Sequence, residues 1–507
     1  MSSTTVSSKN HYNSAKLWQI GFFALNNTAT NLYLFALGFV TYYATGIAGL
    51  SVVVVSTILT AMRIFDGITD PIIGFVIDKT ESRFGKFRPL MILGNVIMAF
   101  TILVMYNVTH LLPVSTQFIF FIAVYAVYII GYTFQTAVTK AAQTVLTNDP
   151  KQRPLFSIFD ATYNIGIFTL GQIFVASFLV VKHGGFTLPL FTELNSYTVL
   201  LSGLFTLLAV LGIWNKDRKE FYGLGRETVE TKFRDYVPIL KRNRPLQMLI
   251  VAASTDKLAG TLVRQPVILV MFFGILLGNY ELSGIIGFIT LVPTLLITYY
   301  GINKARKIGL KRAFVMGTWL CLILFSLLLV MFLIIDPRTI TLQNIGFTTI
   351  MFLVLYSVGL GFQSLTSNIV IPMTADVSDY ETYSTGRYVP GMVGTIFSFI
   401  DKMISSLAPA LVGFCLAFIG FKETLPQIDE KLTTTLLIMT LLLKFGTPIL
   451  GFTASLIAMK FYSLDDKKMA EIQMTITKIR EESNHTPSPD TSGVVIDETD
   501  DKSVRLV

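Results

Sequence analysis

Arg63-Ile-Phe-Asp66-Gly-Ile-Thr69-Asp70-Pro71-Ile-Ile-Gly74-Phe-Val-Ile-Asp78-Lys-Thr-Glu-Ser-Arg83-Phe-Gly85-Lys86-Phe-Arg88-Pro89 begins inside an apolar run long enough to cross a bilayer, yet that run carries an arginine and two carboxylates. A charged side chain at mid-membrane costs about 2.5–3.5 kcal/mol on insertion scales, so three of them in about two helical turns persist only if they face a polar interior and one another. The spacing permits this. Arg63, Asp66 and Asp70 stand at i, i+3 and i+7 and share one helix face, with Thr69 at its edge. The segment reads as a site built into a membrane-spanning helix.

Composition points the same way. The chain has 507 residues, 52% hydrophobic and 14% charged, with mean hydropathy +0.62, too apolar for a soluble protein and too long for a single anchor. A net charge of +8 would suggest nucleic acid in a soluble chain; here the basic residues crowd into short loops, where they orient membrane helices, and no nucleic-acid role is expected. Cys321 and Cys415 both lie in apolar runs, so neither a disulfide scaffold nor a cysteine metal site is indicated. Residues 1–14 are polar and lack the apolar stretch of a cleaved signal.

Apolar spans are read near 17–44, 51–77, 88–107, 115–146, 155–181, 197–214, 246–276, 283–302, 312–335, 345–374, 389–420 and 433–461. These predict an all-α membrane protein of twelve transmembrane helices in two six-helix halves, 15–214 and 246–463. A central loop, 215–245, joins the halves, and tails occupy 1–14 and 464–507. One alternating set of loops is rich in Lys and Arg, with nine from Lys216 to Arg244 alone, and the opposite set is nearly bare. By the positive-inside rule both termini are cytoplasmic. The loop Asp78–Arg88 has a weak echo in Asn303–Arg312, at the same place in the second half. Duplicated halves imply a midplane cavity opening alternately to each side, an architecture that resembles the major facilitator superfamily.

Further charges fall within these spans: Lys140, Asp160, Asp256, Lys257, Arg264, Asp401 and Lys402. Counted with the first three, five anions meet five cations, as a dry interior with paired charges requires. Lys140, Asp160 and the Asp256-Lys257 dipeptide admit two readings, buried pairs or helix-end snorkels on one side and cavity groups on the other. Asp66 and Asp70 repel when both are ionised, so a proton, a sodium ion or Arg63 must neutralise one of them. Thr69 can join a sodium shell or bond its own backbone. His11, His110, His183 and His485 all lie in loops or tails. With no Walker-type loop, no HExxH and no Ser/His/Asp set, the chain is read as a transporter and not an enzyme, with no cofactor beyond a coupling ion, Na+ or H+.

The stretch 63–89 matches R-x-x-D-x-x-x-D-P-x-x-G-x-x-x-D-x-T-x-S-R-x-G-K-F-[KR]-P and resembles the signature of the glycoside-pentoside-hexuronide:cation symporters. Ala375-Asp376-Val-Ser-Asp379-Tyr380 through Gly386-Arg387 to Lys402, and Thr147-x-Asp149-x-x-x-Arg153, are similar to two further family stretches, so the likeness covers residues 15–465. The resemblance implies cation binding at Asp66 and Asp70, with Thr69 where an asparagine often sits, Thr133 near the cation, and Lys402 approaching from the other half. It implies a cytoplasmic gating network of Asp78, Arg83, Lys86 and Arg88 with Asp376, Asp379 and Arg387. Asp401 is a local charge partner for Lys402.

The sugar side departs from the family pattern. Asn27, anchored by Asn31-Leu32, stands where the family carries a sugar-gripping aspartate; Thr136 replaces a second aspartate, Lys140 a stacking tryptophan and Asp160 an arginine. A site with Asn27, Asn31, Thr136, Lys140, Asp160, Asp256, Lys257 and Arg264 suits a solute bearing a carboxylate better than a plain galactoside. The reading is therefore symport of a glycoside, pentoside or hexuronide. Transport of a non-sugar or anionic organic solute, exchange, and a non-transporting sensor are the alternatives. The expected partners are a small solute and the lipid bilayer, in a bacterial plasma membrane. After Asp465 a short helix to Glu482, with Met469, Ile472, Ile476 and Ile479 on one face, leads to a polar acidic tail too short for the phosphotransferase domain that some family members carry.

Overall fold

The computed structural model describes residues 14–80, 82–147, 152–218, 236–386 and 390–485. These are helical without a strand among them: α1 (Leu17–Leu37), α2 (Val40–Gly46), α3 (Val52–Lys79), α4 (Arg88–Val108), α5 (Val114–Ala141), α6 (Gln143–Leu146), α7 (Arg153–Ile173), α8 (Val180–His183), α9 (Leu188–Ile213) and α10 (Tyr236–Arg242), then α11 (Arg244–Val263), α12 (Pro266–Leu269), α13 (Leu282–Ile308), α14 (Leu310–Ile334), α15 (Phe347–Thr385), α16 (Pro390–Ser405), α17 (Ala408–Phe418), α18 (Thr434–Leu441), α19 (Thr447–Phe461) and α20 (Asp466–His485). π-helical turns join α7 to α8, extend α12 and join α18 to α19.

Eleven helices among the described residues are long and apolar enough to span a membrane. The expected first span is not one of them: α1 carries Gln19, Asn26, Asn27, Thr28, Thr30 and Asn31, and it breaks at Gly38–Phe39 before α2. Proline placement explains other differences from the expected spans. Pro266 opens α12, so Gln265 before it is extended (φ −59°, ψ 134°) and the expected span 246–276 is broken. Pro409, in the first turn of α17, follows only a short turn at Ser406-Leu407, where Leu407 keeps helical angles (φ −73°, ψ −12°), so Met392–Phe418 still runs as one span. Pro189 starts α9 at Leu188, earlier than 197. This places Glu193 inside the helix, where it pairs with Lys182 and His183.

Packing recurs between the first six long segments and the last six. The pairs α1 with α9, α4 with α5 and α1 with α7 are matched by α11 with α19, α14 with α15 and α11 with α16. Between the two sets, α3 meets α17 and α7 meets α13. Three hydrophobic cores follow. The largest draws on both sets, from Tyr33 and Tyr106 to Phe325 and Phe445, at the end opposite the basic loops. At the basic-loop end the cores are separate, one from residues 15–213 and one from 239–476. The far end is tied shut, with Tyr42 Oη donating to Pro426 O (2.9 Å), Val52 N to Lys422 O (2.8 Å) and Gln172 Nε2 to Ser283 Oγ (2.9 Å). A cavity of about 530 Å³ lies between the sets and reaches Gln143 and Phe156 toward the basic-loop end.

Candidate functional site

Helix α3 presents Arg63, Asp66 and Asp70 as their spacing requires, and the three fall into different surroundings. Asp66 is 1% exposed, whereas Asp70, with a side chain 42% exposed, lines the cavity. Lys402 reaches across from α16, its Nζ 2.7 Å from Asp66 Oδ2 and 3.0 Å from Asp70 Oδ2. The repulsion between the two carboxylates is thereby offset by one ammonium from the other half of the chain. Thr133 Oγ1 on α5 lies 3.2 Å from Asp66 Oδ1 and 2.9 Å from Ile129 O, and can donate its single proton to either. Thr69 Oγ1 lies 3.0 Å from Asp66 O and 3.0 Å from Thr133 Oγ1, so the two alternatives for this residue, backbone bond and membership of the oxygen cluster, are met together. Carboxylate and hydroxyl oxygens converging here form a donor set suited to a hard cation, and a proton can occupy the same carboxylates. Arg63 lines the cavity with Tyr132 and lies near Tyr125 and Tyr128.

The expected solute residues divide. Asn27, Thr136, Lys140, Asp160 and Lys257 line the cavity. Asn27 Nδ2 donates to Asp160 Oδ1 at the cavity wall and Asn31 Nδ2 to Asn164 Oδ1 beyond it, each at 2.7 Å, which ties α1 to α7. Thr136 returns its hydroxyl to Thr133 O at 3.2 Å. Lys257 forms an ion pair with Asp401, so Asp401, expected beside Lys402, instead serves α11. The neighbours in sequence, Asp401 and Lys402, point to different helices because successive positions on a helix face different directions. Asn31, Asp256 and Arg264 are outside the cavity lining. Asp256 lies near Ser455 of α19 and Cys321 of α14, and Arg264 stands at the break between α11 and α12 near Tyr356.

Of the expected gating residues, Lys86 and Arg88 meet Asp217 of the central loop, and Asp376 and Asp379 lie beside α20 of the tail. The Asp217 carboxylate accepts from the backbone N–H groups of Lys86 (2.9 Å), Phe87 (3.0 Å) and Arg88 (2.9 Å), and from Arg88 Nε at 3.4 Å. The Arg88 guanidinium also stacks 4.5 Å from the Trp214 ring, and Arg83 lies 4.8 Å from Phe84. Asp379 accepts from Gln473 of α20 at 2.6 Å. Asp376 lies near Asp379 and Asp466. The side chain of Asp78, with Asp149 and Arg387, lies outside the described residues.

Sequence reasoning missed several partners. Asn164, Tyr132 and Asp217 had no signal beyond being polar or aromatic near the site. Lys444 did carry one, a basic residue in the apolar span 433–461, and it makes a sixth basic residue against the five counted. Its Nζ is 5.1, 5.5 and 5.5 Å from the rings of Phe272, Phe273 and Tyr356, and the residue is 1% exposed. Cation–π contacts with these three rings stabilise the buried lysine.

Residues 19–466 match the family described as MFS/sugar transport protein. Among curated relatives, a glucuronide carrier protein homologue of Escherichia coli (strain K12) is 24% identical over 473 residues, covering 90% of this chain and 94% of the relative. An isoprimeverose transporter of Lactiplantibacillus pentosus is 24% identical over 462 residues, covering 89% and 90%. The solved nucleoside transporter NupG superposes with a TM-score of 0.57 at 12% identity, covering 88% of this chain and 100% of that one. A bacterial homologue of the iron transporter ferroportin in its inward-facing state gives 0.56 at 13% identity, covering 86% and 98%. These structural likenesses bear on the fold alone.

Proposed function

The chain belongs to the MFS/sugar transport protein family, and from that premise we propose that it is a cation-coupled symporter of a small sugar-like solute, working by alternating access. The observation that carries this reading is the ammonium of Lys402 placed between Asp66 and Asp70 at the wall of a cavity between two helix sets. A site where a lysine holds the place of a coupling ion, beside a cavity lined with hydroxyls and amides, joins ion binding to solute binding. The coupling ion is Na+ or H+. The halves 15–214 and 246–463 rock about the site. A shared core at one end, with separate cores at the other, supports assigning the observed state as open toward the basic loops. Those loops and both termini face the cytoplasm of a bacterial plasma membrane.

For the solute we propose a sugar acid. Lys140 is exposed in the cavity and, among the described residues, has no ion pair, while Lys257 is matched by Asp401. A carboxylate on Lys140, with hydroxyls on Asp160, Asn27 and Gln143, uses the groups that line the wall. One observation favours a second reading, transport or exchange of a non-sugar anion: Asn27, the expected sugar grip, already bonds Asp160. Proteoliposomes under an imposed Na+ or H+ gradient, offered neutral glycosides, pentosides and hexuronides, separate these readings. Accumulation of hexuronides under one gradient supports the first; accumulation of none of the sugars, with uptake of simple organic anions, replaces it by the second.

A further inference from the structure

A second concavity, of about 300 Å³, lies away from the central cavity, between α13, α14 and α15 near the basic-loop end. Ile297, Leu320, Phe362 and Leu365 line it. Gly301 and Gly317 let α13 and α14 approach α15 closely beside it: a Cβ on Gly301 would meet the Leu365 side chain, and one on Gly317 would lie 2.9 Å from the Thr366 methyl. The groove opens outward, since its lining residues Tyr300 and Met316 are 69% and 43% exposed on helices that span the membrane. Its other end is charged. Lys304 lines the groove, and Lys307 follows at i+3 on the same face of α13; both are exposed, and among the described residues neither has an ion pair.

We propose that this groove binds one anionic phospholipid, with an acyl chain along Ile297, Leu320 and Phe362 and the headgroup phosphate at Lys304 and Lys307. Charge complementarity decides the occupant. A second apolar helix would fill the walls but leave two ammonium groups facing hydrocarbon, and a zwitterionic lipid would bring its own cation to them. A basic pocket between membrane helices at the cytoplasmic end selects an anionic headgroup. The site is separate from the solute cavity and shares none of its lining residues.

The test is native mass spectrometry of the full chain, purified in detergent with equimolar phosphatidylglycerol and phosphatidylethanolamine of identical acyl chains. The unmodified protein should retain phosphatidylglycerol about ten-fold over phosphatidylethanolamine. Lys304→Gln/Lys307→Gln should erase that preference, and Leu320→Trp, which fills the groove without altering charge, should lower retention of both lipids. Equal retention of the two lipids by the unmodified protein overturns the proposal, and so does an undiminished preference in the double lysine variant. The first comparison needs no variant, so it stands even if a substitution impairs folding.

Discussion

Lys402 Nζ lies 2.7 Å from Asp66 Oδ2 although the two residues belong to α16 and α3, on opposite sides of the central cavity. With Asp70 Oδ2 at 3.0 Å, the ammonium bridges the two carboxylates of α3. On the proposed reading, an arriving cation competes with Lys402 and frees it toward the cavity, so ion binding also alters the charge offered to the solute.

Removing the ammonium should therefore destabilise the protein. Lys402→Met leaves Asp66 buried without its counter-charge, at a cost of up to about 3 kcal/mol; Lys402 is about one-third exposed, which keeps the loss at the low end for a buried pair. The double variant Lys402→Met/Asp66→Asn should recover most of that loss. Thermal unfolding of the four proteins checks it, and additive losses in the double variant would show that the two side chains do not interact.

Asp70 differs from Asp66 in its access to the cavity, with a side chain 42% exposed. Asp70→Asn should abolish gradient-driven accumulation, at least about ten-fold, while preserving solute counterflow, because the amide keeps hydrogen bonding but loses the charge that an ion or proton must neutralise. Full concentrative uptake by this variant would remove Asp70 from the coupling site.

The loop after α3 gives a stability prediction. Gly85 has φ +99°, a left-handed conformation, and a Cβ there would collide with the Asp217 carboxylate. Gly85→Ala should lower the unfolding temperature and reduce expression. Asp217→Ala should cost about 2–3 kcal/mol, since it strips a buried carboxylate from three backbone N–H groups at the start of α4. An unchanged melting curve for both variants would show that this cap contributes nothing to the fold.

Asp217 also marks where sequence reading stops. Charges inside apolar runs were legible, because only a polar interior or a partner can keep them there, and that logic located Asp66, Asp70 and Lys402. Direction within a helix was legible where the spacing was regular, as for Arg63, Asp66 and Asp70. Pairing across the fold was not: nothing local says that Asp401 turns to Lys257, or that Asp217 reaches back to residues 86–88. The helix break at Gly38 lies inside an apolar run that does not register it, whereas Arg264-Gln265-Pro266 did signal the break at Gln265 and the span 246–276 was read through it.

Lys140 gives the test of solute charge. Of the cavity lysines, Lys257 and Lys402 are matched by carboxylates, so a solute anion gains most at Lys140, where no ion pair must first be broken. A charge-assisted hydrogen bond there contributes about 1.5–3 kcal/mol, equivalent to a ten-fold or greater change in affinity. Lys140→Ala should therefore weaken hexuronide binding by at least about ten-fold and leave the matching neutral hexoside within about two-fold. Competition for uptake by the two sugars in proteoliposomes measures both. Equal losses would mean that Lys140 only shapes the wall. A loss confined to the acid would tie solute selection to Lys140, on α5 two turns from the Thr133 that contacts Asp66.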